Sequence, residues 1–146
     1  MISLDTNVLV YAVDKTAGRR HDEARAIVDA APSVDVGLAE QAIIEFLNAA
    51  RKVNLSSSRI FSVAELLVAD FTLLFPSPQI VEDTIALLKA HKLNAWDARL
   101  LAVCQAHGCT HLLSEDMQDG TRYGSVMVVN PFKAVNATLV QKLLTP

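Results

Sequence analysis

Short aliphatic runs alternate with longer stretches of helical periodicity along this chain, and that alternation restricts the fold more than any other feature. Met1-Ile-Ser-Leu4, Val34 to Leu38, Thr110 to Leu113 and Ser125 to Val129 are too short for helices, and each reads as a buried strand. Asp5-Thr6-Asn7 supplies turn-forming residues after the first of them. Phe71 to Phe75 reads as a brief extended run stopped by Pro76 and Pro78. Between the strands, the spacing predicts helices over His21 to Ala31, closed by Pro32, and over Ala39 to Val53. Ser56-Ser57-Ser58 offers N-caps for a helix to about Asp70, and two more follow over 79–91 and 95–107. Pro131 opens a final amphipathic segment. Strands and helices in this order predict an α/β domain, a three-layer α/β/α sandwich with a mainly parallel central sheet.

The 146 residues suit one domain spanning 1–146, and a hydrophobic fraction of 51% is ample for its core. The longest apolar-looking window, Ile60 to Phe75, is interrupted by Glu65 and Asp70, short of the roughly 18 to 20 uncharged residues of a membrane span. No signal-peptide pattern opens the chain, so a soluble cytoplasmic protein is expected. Cys104 and Cys109 form neither a CxxC pair nor a disulfide framework, and histidines at 21, 91, 107 and 111 are scattered. No compact set of soft ligands for zinc results.

Hard ligands are another matter. Asp5, Glu45, Asp97, Asp116 and Asp119 each lie beside a hydrophobic run, where a charge is costly unless something requires it. Carboxylates gathered in one cleft repel one another unless protons or a cation intervene, and oxygen donors favour magnesium, manganese or calcium. In a parallel sheet the functional cleft lies beyond the carboxyl ends of the strands, which is where Asp5 and Ser114-Glu115-Asp116 fall.

Each acid also has a plainer reading. Asp5 either ligates, or merely terminates its strand or forms an Asx-turn with Asn7. Gln41, Glu45, Asn48 and Lys52 share one helix face, opposite Ile43, Ile44, Phe46, Leu47 and Ala50, and that face meets either water or a cleft. Asp97 lies three residues after Asn94, as in a capping box, yet shares a face with Leu100, Leu101 and Cys104. Asp116 and Asp119 both suit a turn, and Asp119-Gly120 is a turn dipeptide.

Taken together, Leu4-Asp5-Thr6-Asn7-Val8-Leu9, Gln41-Ala-Ile-Ile-Glu45-Phe46, Ala95-Trp96-Asp97-Ala98 and Leu113-Ser114-Glu-Asp116-Met-Gln-Asp119-Gly120 resemble the motifs of the PIN-domain family, closest to VapC-type toxins. The resemblance implies a magnesium- or manganese-dependent endoribonuclease that hydrolyses RNA phosphodiester bonds with metal-activated water. It implies a catalytic quartet of Asp5, Glu45, Asp97 and Asp116. Asp5, Asp97 and Asp116 would be the metal ligands, with Thr6, Ser114 and Asp119 as supporting or substrate-contacting groups. It further implies a VapB-type antitoxin as partner and a homodimer.

The rival readings are a non-catalytic PIN-like module that binds RNA or protein, and a magnesium-dependent phosphatase. Phosphatases of the haloacid-dehalogenase type expect a second Asp two residues after the first, where this chain has Asn7. The net charge of −3 counts against nucleic-acid binding through an overall positive field. Local basic groups at Arg19-Arg20-His21, Arg51-Lys52, Lys89 to Lys92, Arg99 and Arg122 either contact phosphate or form solvated helix faces.

Overall fold

A computed structural model describes residues 1–146. Strands β1 (Ile2–Leu4), β2 (Val36–Ala39), β3 (Thr72–Leu74), β4 (His111–Leu113), β5 (Arg122–Tyr123) and β6 (Val126–Val129) form one sheet in the order β3-β2-β1-β4-β6-β5. All neighbours pair in parallel except β5 and β6, which form an antiparallel edge. The helices are α1 (Thr6–Val13), α2 (Arg19–Ala30), α3 (Glu40–Ala49), α4 (Ser57–Asp70), α5 (Ile80–Ala90), α6 (Ala95–Ala106) and α7 (Ala137–Leu143).

Alternation along each strand divides the interior between two faces of the sheet. Leu113 and Val129 join a core formed with α1, α2, α3 and α4, whereas Leu112 and Val128 join a second core formed with α5 and α6. The result is the expected three-layer sandwich. Gly37 on β2 leaves room for two side chains: a Cβ there would lie 2.7 Å from Leu74 Cδ2 and 2.9 Å from Met1 Sδ.

The largest departure from the sequence reading is α1. Asp5-Thr6-Asn7 does not merely end a strand, because Asp5 takes an extended N-cap conformation and its Oδ1 accepts from the Thr6 amide at 2.7 Å. The chain therefore turns straight from β1 into a helix. The β5 strand, only two residues long, was also unforeseen, since so short a run carries no periodicity. Helix α2 begins two residues before the expected start, and α3 ends at Ala49 with a 3-10 turn over Ala50–Lys52.

This strand order has one consequence for function. From β1 the chain builds outward through β2 to β3, then returns to place β4 on the other side of β1. The crevice of a doubly wound sheet opens at such a reversal, beyond the carboxyl ends of the two diverging strands. Asp5 follows β1 and Ser114 follows β4, so the two flank it.

Candidate active site

Asp5 is 6% exposed, and its carboxylate is held by three donors. The Thr6 amide meets Oδ1, while Oδ2 accepts from Ser114 Oγ at 2.5 Å and from Asn7 Nδ2 at 2.9 Å. The same Asn7 nitrogen lies 3.1 Å from Asp116 Oδ2 and 3.3 Å from Ser114 Oγ, and Ser114 Oγ accepts from the Asp116 amide at 3.2 Å. One amide and one hydroxyl thus join carboxylates that are 111 positions apart in sequence.

Glu45 arrives from α3. Its Oε2 accepts from Thr6 Oγ1 at 2.9 Å, and its Oε1 accepts from Gln41 Nε2 at 2.8 Å. Gln41 is buried and also donates to the Trp96 carbonyl at 3.1 Å, while its own oxygen accepts from Arg99 Nη1 at 2.7 Å. Arg99 Nη2 donates to Glu40 Oε1 at 2.5 Å. This chain of bonds fixes α3 against the first turn of α6, where Asp97 stands. The polar face of α3 therefore divides: Gln41 and Glu45 line the cleft, and Asn48 and Lys52 reach water. Ile44, assigned to the apolar side, is 57% exposed.

Asp97 is half-buried and does close a capping box, since Asn94 Oδ1 accepts from the Asp97 amide at 2.9 Å and Asn94 Nδ2 donates to Asp97 Oδ2 at 2.7 Å. Burial pushes its carboxyl above the ordinary range, and Asp116 and Glu45 add to that push against the opposing Asn94 bond. Capping and membership of the acidic cluster coexist in one side chain. Asp119 stands apart. Its partners are the Asn130 amide at 2.8 Å, Asn136 Nδ2 at 2.8 Å and Lys133 at 3.1 Å, none of which belongs to the cluster. Burial pushes its pKa up, but those bonds outweigh it and hold the carboxyl below its usual value. It ties the turn after β4 to the segment that follows β6.

Burial raises the Asp5 carboxyl from 3.8 to about 6, opposed by the Ser114 and Thr6 bonds and reinforced by the charges of Asp116 and Asp97. A carboxyl whose folded pKa exceeds its unfolded one stabilises the fold fully below the unfolded pKa, and that stability is lost as pH rises through the folded pKa. Metal-free protein accordingly carries a cost on the order of 3 kcal/mol at pH 7 for keeping Asp5 ionised. Asp5→Asn removes the charge. Turning the Asn7 amide lets its partnerless Oδ1 accept from the new amide but takes Nδ2 off Asp116 Oδ2, which offsets part of the gain. The variant is expected to be more stable than wild type at pH 7 by about 1 to 3 kcal/mol, the gain fading toward pH 4. Urea midpoints in chelator across that range check this; a variant no more stable at pH 7 would contradict it.

No three His, Cys, Asp or Glu side chains converge closely enough to enclose an ion by themselves. The donors nevertheless suit magnesium, which binds through one or two carboxylates, keeps several waters and accepts a substrate phosphate. The partnerless Asn7 oxygen and the mutual repulsion of Asp5, Asp97 and Asp116 are what a cation would relieve.

The protein is thus an α/β domain, a three-layer sandwich with carboxylates gathered at the reversal of its sheet. The chain belongs to the PIN domain family, whose model matches residues 2–118. Among solved structures it is similar to a toxin–antitoxin complex from Klebsiella pneumoniae, at 26% identity over 91% of this chain and 99% of that one, with a TM-score of 0.66. VapBC-1 from nontypeable Haemophilus influenzae matches at 16% identity over 91% of this chain and all of its own, with a TM-score of 0.65. The VapC20 toxin of Mycobacterium tuberculosis, described as cleaving the sarcin-ricin loop, matches at 15% identity over 77% of this chain and 87% of that one, with a TM-score of 0.62. No curated protein matches the chain.

Sequence reasoning named the acids but not what aligns them. By sequence, Gln41 is only a polar residue on a helix face, Arg99 a basic group suited to phosphate or to water, and Asn7 a turn former. The one signal available was Gln41 placed four residues before Glu45 on the same face.

Proposed function

We propose that this chain is a magnesium- or manganese-dependent endoribonuclease, the toxin of a VapBC-type toxin–antitoxin pair acting in the cytoplasm. The observation that carries this reading is the grouping of Asp5, Glu45 and Asp116 around the sheet's switch point through bonds of Asn7, Ser114 and Thr6, with Asp97 near enough for its charge to act on Asp5 and for Asp116 and Glu45 to act on it. Asp5, Asp97 and Asp116 are the residues that would hold the ion. When bound, it would supply charge neutralisation at the phosphate and a more acidic water. Glu45, held from two sides by Thr6 and Gln41, orients the attacking water from the α3 wall. Asn7 spaces Asp5 from Asp116, and Ser114 keeps Asp5 aimed into the cleft. Cleavage by water needs no protein nucleophile, and analogy with the family gives 5′-phosphate and 3′-hydroxyl ends as the expected products.

The partner reading draws on the similar toxin–antitoxin complexes and on a groove in this chain. Between α1, α2 and α4 lies a cavity of about 580 Å³, lined in part by Leu9, Val28, Val63, Leu66, Leu67 and Phe71. The same groove is also lined by Lys15, Arg25, Asp29, Arg59 and Asp70, and an amphipathic antitoxin segment suits such a mixed lining. A smaller apolar hollow, formed by Ile80, Val81, Ile85 and Trp96, suits a second copy of the chain. No helix is long and apolar enough to cross a membrane.

The test is cleavage of a mixed pool of structured RNAs by purified, antitoxin-free protein. Cutting is expected with magnesium or manganese, is expected to stop in chelator, and should yield 5′-phosphate ends. RNA that is bound but left intact under every metal condition would instead favour the binding module. Turnover of a small phosphate ester with RNA untouched would favour the phosphatase.

A further inference from the structure

The acidic cleft repels the phosphate backbone it is proposed to cut, so RNA must be held by cations at its margin. Arg20 is built for that task. Its guanidinium lies 5.7 Å above the centre of the Tyr11 ring, and its Nε donates to Glu115 Oε2 at 2.9 Å. Tyr11 is fixed in turn. Its ring meets Phe132 edge-on with centroids 5.3 Å apart, and its hydroxyl donates to Glu115 Oε1. Both Glu115 oxygens are consequently occupied, and Glu115 immediately precedes Asp116 of the cluster. The Glu115 bond pushes the Tyr11 phenol up to about 12, so it remains a donor across the working pH range.

Of the five N–H groups on the Arg20 guanidinium only the one on Nε is used, which leaves the two-nitrogen edge that matches a phosphate. Other basic side chains are engaged differently. Arg19 donates to the Phe132 carbonyl and pairs with Glu23, Lys133 pairs with Asp119, and Arg99 holds Glu40 and Gln41. Arg20 is about half exposed, yet its orientation is set before any ligand arrives, so little rotamer freedom remains to be lost on binding. We propose that Arg20 is a phosphate-binding residue that grips the RNA backbone beside the acidic cleft, with Tyr11 and Glu115 presenting its free edge. The inference rests on the ribonuclease reading and gives the overall acidic chain a local means of holding RNA.

The experiment is equilibrium binding of a fluorescein-labelled single-stranded RNA oligonucleotide, in chelator so that nothing is cut, over a series of salt concentrations. Arg20→Ala is expected to weaken binding about tenfold and to reduce the slope of log affinity against log salt by about 0.7, the share of one phosphate contact on a single strand. Arg20→Lys, which keeps the charge but loses the fork, is expected to keep the slope and lose part of the affinity. A DNA oligonucleotide of the same sequence should show the same shortfall, because its phosphates are the same. Arg20→Ala with wild-type affinity and slope overturns the proposal, as does weaker binding at unchanged slope or a shortfall confined to RNA. In each of those cases wild-type cleavage would leave the ribonuclease reading standing, whereas RNA neither bound nor cut by wild type removes both.

Discussion

Asp97→Asn is expected to slow metal-dependent RNA cleavage by a hundredfold or more, about 2.7 kcal/mol of barrier, while leaving the fold intact. Both halves follow from where the side chain sits. Asp97 caps α6 through its backbone amide, which donates to Asn94 Oδ1 and is unaffected by the substitution. An asparagine can still meet Asn94 Nδ2 with its carbonyl oxygen, so the first helical turn keeps its bonds. What disappears is the negative charge, held above its ordinary pKa by burial and by the neighbouring Asp116 and Glu45. An amide is a weak ligand for a hard cation and cannot replace that charge. Rates measured beside a thermal melt decide the matter. A variant that melts like wild type and cuts at an undiminished rate removes Asp97 from the mechanism.

Phe46→Ala is expected to cost about 3 to 5 kcal/mol of stability and to lower the melting temperature by on the order of 10 °C. Phe46 is 0% exposed and lies in the core between the sheet and the helices of its first face. Truncating it removes apolar contact and leaves a cavity that close-packed neighbours fill only in part. For a domain whose whole margin is about 5 to 15 kcal/mol, that loss is large. Glu45, one residue earlier, points into the cleft and bonds to Thr6 and Gln41. Cleavage per folded molecule in the cold should therefore survive better than stability. A loss under about 1 kcal/mol would mean that this face of α3 is not packed as described.

Much of the fold was legible because its cues are local. Aliphatic runs gave β1, β2, β4 and β6, and the serines at 56 to 58 and Asn94 marked helix starts that the structure caps as expected. Asp5 and Asp116 were placed at one rim by strand direction alone. Other features depend on context that no window of sequence contains. Asp5-Thr6-Asn7 is equally suited to a turn and to a helix cap, and only the docking of α1 against α2 and α3 selects the helix. Ile44 reads as core by periodicity but lies on a part of α3 that nothing covers in the single chain. Asp119 belongs to a motif beside Asp116, yet its hydrogen bonds run to the segment after β6 instead of to the cleft.

The sequence by itself determined the α/β class and the placing of acids at strand ends, because strand length and periodicity belong to the residues themselves. Tertiary structure alone decided which acids meet. Asn7 reaches Asp116 across 109 positions, and Gln41 joins Glu45 to the first turn of α6 through a carbonyl 55 positions away. Such contacts are set by the order of strands in the sheet. That order reflects how the whole chain buries two cores at once, and no segment of it encodes the outcome alone.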